Sequence, residues 1–265
     1  MMSESPNSAY GKDGFYIHDE AVWLLDDVDR AVEGMDAVRR GEYDTGVPPR
    51  SSAWSPGDDP QRLCKIEKPQ IANRAIMDLI KHPALGALAA LVCGAEWVQV
   101  WWVQLLYKPP VAGAGSSGTH VGWHQDRNYW GAWEEGSELF TAWIALSEVG
   151  SADGPMHFVR GSHQWGLLPG SDFYGQDLAE QKRTLAAQAS DEWVEVAATL
   201  PKGGVSFHHC LTLHGSGPNH SAGPRRSLAV HMRTERSRPM GDKREGLTAF
   251  IDDPTHCPVV FNRDS

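Results

Sequence analysis

His124-Gln125-Asp126 is the triplet in this chain with the clearest capacity for chemistry. Alternate side chains of a β-strand share a face, so on a strand His124 and Asp126 reach one point while Gln125 faces away. One imidazole and one carboxylate supply two thirds of the facial triad that binds non-haem Fe(II) and leaves positions open on the metal. A His-x-Asp triplet alone is short, and it also arises on solvated loops or as a simple hydrogen-bonded pair. What gives it weight lies downstream. His214-Gly215-Ser216-Gly217-Pro218-Asn219 offers a second imidazole, and Pro224-Arg225-Arg226-Ser227 places a cation at the mouth of a strand. His208 and His209, at the end of an apolar run, rival His214 for the third ligand position.

The segments Trp123-His124-Gln125-Asp126, Asp153-Gly154-Pro155, Arg160-Gly161-Ser162-His163 and His214 to Asn219 with Pro224-Arg225, in that order, resemble the phytanoyl-CoA dioxygenase family of Fe(II)/2-oxoglutarate oxygenases. A weaker likeness at Gly14-Phe15-Tyr16-Ile17 and Tyr107-Lys108-Pro109-Pro110 extends the resemblance over most of the chain. It implies a mainly β fold with flanking helices around a double-stranded β-helix core of the jelly-roll or cupin type. It also implies Fe(II) on His124, Asp126 and His214, the last selected because it heads the Gly-Ser-Gly-Pro-Asn turn. 2-Oxoglutarate and O2 are then cosubstrates. An unactivated C–H bond of a small molecule is hydroxylated, with release of succinate and CO2. Desaturation, cyclisation or epimerisation in natural-product tailoring are alternatives on the same cofactors. Asp126 argues against halogenation, which needs that ligand position vacated.

For the cosubstrate carboxylate the resemblance selects Arg225, and strand parity agrees. Arg225, Ser227, Ala229, His231 and Arg233 share one face, while Arg226, Leu228, Val230 and Met232 form an apolar one. A planar guanidinium grips a carboxylate through two parallel hydrogen bonds, and Ser216 is placed to add a third. Gln104 shares a face with Val98, Val100, Trp102 and Leu106, where it meets either a bound carboxylate or a backbone group. Thr141 and Trp143 share a face that, by resemblance, looks toward the cosubstrate. Trp102, Arg127, Tyr129, Trp130, His231 and Arg233 are candidate substrate contacts, each with a plain alternative in packing or internal pairing. His120 reads as a loop histidine and His163 as a turn residue at the pocket edge. Two other classes compete: a zinc hydrolase, which has no use for the Arg225 clamp, and a small-molecule binding protein without catalysis.

The positioning elements follow from length and periodicity. At 265 residues the chain can bury one sizeable core, and 1–265 reads as a single catalytic domain. A formal net charge of −10 argues against tracking a nucleic-acid backbone and mildly disfavours a coenzyme A ester. Four cysteines without close pairing read as reduced thiols, and the acidic N-terminus and absence of a spanning apolar run predict a cytoplasmic chain with no membrane partner. After an opening strand at Gly14–Ile17, a helix from about Asp19 buries Val22, Leu25, Val28, Val32, Met35 and Val38. Residues 41–61 read as a long loop or lid. Helices follow over Asn73–Lys81 and Pro83–Cys93, then a buried strand over Trp97–Tyr107 and a flexible connection over Pro109–Gly122. Strands are expected at Leu139–Leu146, Gly154–Val159, Trp193–Leu200, Val205–His209 and Pro258–Phe261, with a peripheral helix over Asp172–Asp191.

Overall fold

The computed structural model describes residues 4–50, 54–111 and 119–264. In chain order the elements are α1 (Pro6–Asp13), β1 (Phe15–His18), α2 (Leu25–Arg40), β2 (Cys64–Glu67), α3 (Arg74–Ile80), α4 (Pro83–Cys93), β3 (Trp97–Lys108) and β4 (Val121–His124). They continue as β5 (Leu139–Ala145), β6 (Met156–Val159), α5 (Leu178–Ala186), β7 (Glu195–Ala198), β8 (Val205–His209), β9 (His214–Ser216), β10 (Arg225–Thr234) and β11 (Val259–Asn262). Two antiparallel sheets form the jelly-roll. The larger runs β1-β8-β5-β10-β3-β11 with β2 also on β3, and the smaller runs β4-β9-β6-β7.

Strand alternation divides the large sheet. Phe140, Ala142, Ile144, Val205, Phe207, Leu228, Val230 and Met232 face outward into a core shared with α2, α3 and α4. Trp143, Ala145 and Ala229 face inward and pack with Val121, Phe158 and Ala198 of the small sheet. The site therefore lies between the sheets, on the side away from the helices.

One register shift changes which residues reach it. Along the β10–β3 ladder His231 pairs with Trp102 but Met232 pairs with Val100, so Trp101 is an extra residue in β3. A bulge of this kind reverses the facing of the residues beyond it. Val98 and Val100 thus join Val103 and Leu105 in the helix-side core, whereas Trp101, Trp102, Gln104 and Leu106 line the interior cavity. The uniform face expected for Val98, Val100, Trp102, Gln104 and Leu106 is broken because periodicity cannot register an inserted residue.

Other differences are local. The first long helix begins at Leu25 rather than near Asp19, and Leu25 itself is 57% exposed; Val28, Ala31, Met35 and Val38 form its buried stripe. Pro83 and Gly94 do bracket α4. Residues Arg74–Cys93 together are long and apolar enough to meet a length-and-composition criterion for a membrane span. They form two helices broken at Lys81 and His82, with inner faces packed in the core. Only Leu178–Ala186 of the expected 172–191 helix is helical. The described residues of 41–61 line the outer face, where Trp54 packs against the core and Arg50 bridges to Glu67, and none of them lines the interior cavity. Of the connection expected to be flexible, residues 112–118 lie outside the described residues.

Candidate active site

β4 ends at His124, Gln125 continues extended, and Asp126 opens a 3-10 turn over Asp126–Tyr129. The extended Gln125 lets His124 and Asp126 converge as strand parity requires. Gln125 points away, its amide donating to Gly166 O and Leu211 O while its Oε1 accepts from Leu168 N–H, which pins the turn to two loops. β9 pairs with β4 and places His214 directly opposite His124. Donor atoms of His124, Asp126 and His214 all lie within 4.8 Å of one another, and all three residues are buried.

Tautomers at this cluster are set by the backbone. His124 Nδ1 donates to Gly122 O at 2.8 Å and His214 Nδ1 to Thr212 O at 2.9 Å, leaving both Nε2 lone pairs directed inward. Those atoms lie 3.6 and 3.8 Å from Asp126 Oδ1. The other carboxylate oxygen, Oδ2, accepts from Thr141 Oγ1 at 2.8 Å and faces His208 Nε2 at 3.3 Å. Asp126 thus offers one oxygen to the cluster and has the other held from behind. Burial pushes its carboxyl up, but the surrounding histidines, His214 first and then His124 and His208, outweigh it and keep the group well below the usual range. Burial, aided by His124 and His208, holds His214 well below the ordinary imidazole value, so it presents a lone pair at neutral pH. Two imidazoles with inward Nε2 atoms and a carboxylate, with open space before them, fit a divalent first-row metal.

A second polar cluster lies where β3, β9 and β10 meet. Arg225 is 2% exposed; it donates to Gly154 O through Nη1 and its Nε has no partner among the described residues, while its guanidinium lies 5.2 Å from the Trp143 ring centre. Gly154, at φ +63, sits against Pro218 O, where an added Cβ would come within 2.6 Å; only glycine presents its carbonyl to Arg225 there. Lys108 is fully buried, and its Nζ donates to Ser216 Oγ at 2.6 Å and Gly217 O at 2.5 Å. Lys108 has no carboxylate partner among the described residues. Burial, then the charge of Arg225, drives its ammonium well below its ordinary value, and burial brings Arg225 down to about 10. Lys108 and Arg225, two buried basic groups with no ion pair within 4 Å among the described residues and only the field of Asp153 acting on Arg225, form a site for an anion, because a buried charge without a direct partner is unfavourable until one is supplied.

The structure brings most of the expected residues to one cavity of about 260 Å³. His124, Asp126, His214, Ser216 and Arg225 line it, as do Gln104, Thr141 and Trp143. The last group divides: Trp143 underlies Arg225, Thr141 is bonded to Asp126, and Gln104 donates to Glu67 Oε1 at 3.4 Å. Ser216 accepts from Lys108, keeping its own O–H free to donate. Among the substrate candidates, Trp102, Tyr129, Trp130 and His231 line the cavity. Arg127 and Arg233 do not. Arg127 donates to Trp130 O and Trp133 O, bracing the turn after Asp126. Arg233 lies beyond the β3 bulge, where its Nε donates to Gln99 Oε1 at 2.6 Å and its guanidinium stacks near Trp97.

Several residues at or beside the cavity escape sequence reasoning. Lys108 is buried beside the cavity through Ser216, and the signal for it is its parity with Gln104 and Leu106 on β3. Phe173, whose ring is 5.1 Å from that of His124, and Tyr174 lie in a turn assigned to helix. The signal was Pro169-Gly170-Ser171-Asp172 with Gly175, turn residues rather than helix formers.

Comparison with known proteins agrees with this geometry. A family profile described as phytanoyl-CoA dioxygenase (PhyH) matches residues 12–227. The chain belongs to the phytanoyl-CoA dioxygenase family. It is 30% identical over 179 residues to a probable alpha-ketoglutarate-dependent hypophosphite dioxygenase of Stutzerimonas stutzeri, covering 66% of this chain and 58% of that one. It is 28% identical over 128 residues to the peroxisomal phytanoyl-CoA dioxygenase of Homo sapiens, covering 48% and 37%. The matched regions thus span less than two thirds of either relative. Among solved structures, the non-heme alpha ketoglutarate dependent carbocyclase SnoK from nogalamycin biosynthesis superposes with TM-score 0.68 at 22% identity, covering 91% of this chain and 88% of that one. The epimerase SnoN from the same biosynthesis gives 0.66 at 23% identity, covering 93% and 87%. These likenesses establish the fold shared by the family.

Proposed function

We propose that this protein is an Fe(II)/2-oxoglutarate-dependent oxygenase that hydroxylates an unactivated C–H bond of a small molecule. One observation carries the reading: a buried His124, Asp126 and His214 donor set shares a cavity with Arg225, beside which Lys108 is a second buried cation lacking a carboxylate. A metal site alone suits a hydrolase. The unmatched cations call for an acidic ligand beside the metal, and 2-oxoglutarate has a carboxylate at each end.

In this reading His124 Nε2, Asp126 Oδ1 and His214 Nε2 hold the iron, and Arg225, Lys108 and Ser216 hold the distal carboxylate of the cosubstrate. When bound, Fe(II), 2-oxoglutarate and O2 supply the oxidising power, with succinate and CO2 as coproducts. The protein supplies position and dryness. Thr141 and His208 fix the orientation of Asp126, so that its free rotation does not blur the metal site. Trp143 covers the Arg225 guanidinium, and the wall of Trp101, Trp102 and Trp130 keeps water from the reacting centre. The carbocyclase and epimerase among the structural neighbours make ring closure and epimerisation alternative outcomes of the same residues.

The deciding experiment is an anaerobic visible spectrum of the protein with Fe(II), before and after 2-oxoglutarate, in wild type and Arg225→Ala. The expected result is a weak charge-transfer band near roughly 500 nm in wild type, much reduced in the variant at limiting cosubstrate. No band at saturating 2-oxoglutarate, with tight zinc binding, would bring the hydrolase reading forward.

A further inference from the structure

His231 is the interior residue of β10 that the metal and carboxylate sites leave unused. Its Nδ1 lies 2.8 Å from Thr141 Oγ1, which itself stands 2.8 Å from Asp126 Oδ2. A carboxylate only accepts, so the Thr141 proton is committed to Asp126, and Thr141 accepts in turn from His231 Nδ1–H. In the neutral ring this leaves Nε2 as a lone-pair acceptor. Burial, acting against the attraction of Asp126, brings His231 down to about 4, which keeps the ring neutral.

That acceptor is buried and unanswered. His231 is 3% exposed, lines the cavity, and its Nε2 has no hydrogen-bond partner among the described residues. The ring is fixed by Trp130, edge-on at 4.8 Å between centroids, and by Trp101 at 5.7 Å. Trp101 also lines the cavity, and its Nε1–H likewise has no partner. An orphan acceptor and an orphan donor on two rings 5.7 Å apart between centroids are the complement of a hydroxyl, which donates through its proton and accepts through its lone pairs. The neighbouring part of the cavity lining is the apolar indoles of Trp101, Trp102 and Trp130.

We infer that His231 is a specificity-determining residue whose Nε2 receives a hydrogen bond from a substrate hydroxyl, while the alicyclic or aromatic body of that substrate lies against Trp101, Trp102 and Trp130. The substrate class is therefore a hydroxylated, largely apolar ring compound. This rests on the oxygenase reading, which supplies the cavity's other occupants.

The test uses two small probes of nearly equal shape, cyclohexylmethanol and (fluoromethyl)cyclohexane, of which only the alcohol donates. Protein loaded anaerobically with Fe(II) and 2-oxoglutarate is titrated with each, and binding is followed by tryptophan fluorescence. Wild type should bind the alcohol roughly ten-fold more tightly than the fluoride. In His231→Phe the ratio should fall to about one, with fluoride affinity altered less than about two-fold. His231→Gln, which keeps an acceptor oxygen, should recover part of the preference. Equal affinities in wild type, binding of neither probe, or a preference retained in His231→Phe would overturn the assignment. The wild-type comparison stands even if the phenylalanine variant does not fold. Recording the charge-transfer band first separates the two readings: without the band the oxygenase reading fails, whereas a band with no alcohol preference removes only the role of His231.

Discussion

Thr141 Oγ1 donates to Asp126 Oδ2 at 2.8 Å, reaching from β5 to the carboxylate that faces His124 and His214 with its other oxygen. Both residues are buried, so the hydrogen bond is unscreened and fixes the carboxylate plane. Thr141→Val keeps the shape of the side chain and removes this donor. Metal affinity should fall by about ten-fold or more, in line with the loss of an outer-shell partner. Anaerobic Fe(II) titration, or Co(II) titration by visible absorption, measures it. Unchanged affinity would show that packing alone orients Asp126.

His208 and His214 can be separated by metal binding. The His208 ring lies 4.3 Å from that of His214, but its Nε2 is turned to Asp126 Oδ2, the oxygen facing away from the cluster. Removing an outer-shell histidine leaves the donor set intact, whereas removing a ligand leaves two donors. His208→Ala should therefore bind Co(II) within about 100-fold of wild type, while His214→Ala should show no saturable binding at the same concentrations. The opposite ranking would make His208 the ligand.

The sequence made legible those parts of the site whose geometry is local. His124 and Asp126 are two residues apart on extended chain, and Arg225 is separated from Arg226 by strand parity alone. What sequence could not carry is geometry set by a partner strand. The inserted Trp101 has no signature within β3, because a bulge exists only relative to β10, and it decides that Trp102 and Gln104 face inward while Arg233 pairs with Gln99. Lys108 was hidden for a related reason: a lysine at a strand end normally reaches solvent, and only the fold brings β9 across it. At the start of α2 and over 172–177, local turn residues override the apolar spacing that points to helix.

Lys108→Met should have opposite effects on the apo and loaded protein. The ammonium is buried, with Ser216 and Gly217 its hydrogen-bond partners among the described residues, and a buried charge replaced by an apolar side chain of similar length is often neutral or stabilising. The apo variant should therefore melt at the wild-type temperature or above. Its apparent affinity for 2-oxoglutarate should drop by about 10- to 100-fold, the range for a lost charge-assisted hydrogen bond. Thermal shift with and without 2-oxoglutarate, under anaerobic Fe(II), reads both. A destabilised apo variant with undiminished 2-oxoglutarate binding would make Lys108 a structural residue only.

Acid should destabilise the apo protein before its carboxylates titrate. His209 and His231 are both brought down to about 4 by burial, with neighbouring histidines adding at His209 and also opposing Asp126 at His231. In the unfolded chain each takes a proton near its ordinary value of about 6.5. Between those limits the unfolded state binds more protons, so stability falls as pH falls from about 6.5 toward 4 and levels off below. One unit below the unfolded value each histidine removes about 1.4 kcal/mol. Asp126 has the opposite disposition, its folded value being lowered, and its stabilisation is lost only in more acidic solution. Urea midpoints of the metal-free protein at pH 7.5 and 5.5 should fall accordingly. In His231→Phe the difference between the two pH values should shrink by about 1.4 kcal/mol, since one proton sink is gone. An identical pH dependence in wild type and variant would mean that His231 takes up its proton in the folded protein, and is not held neutral at the cavity wall.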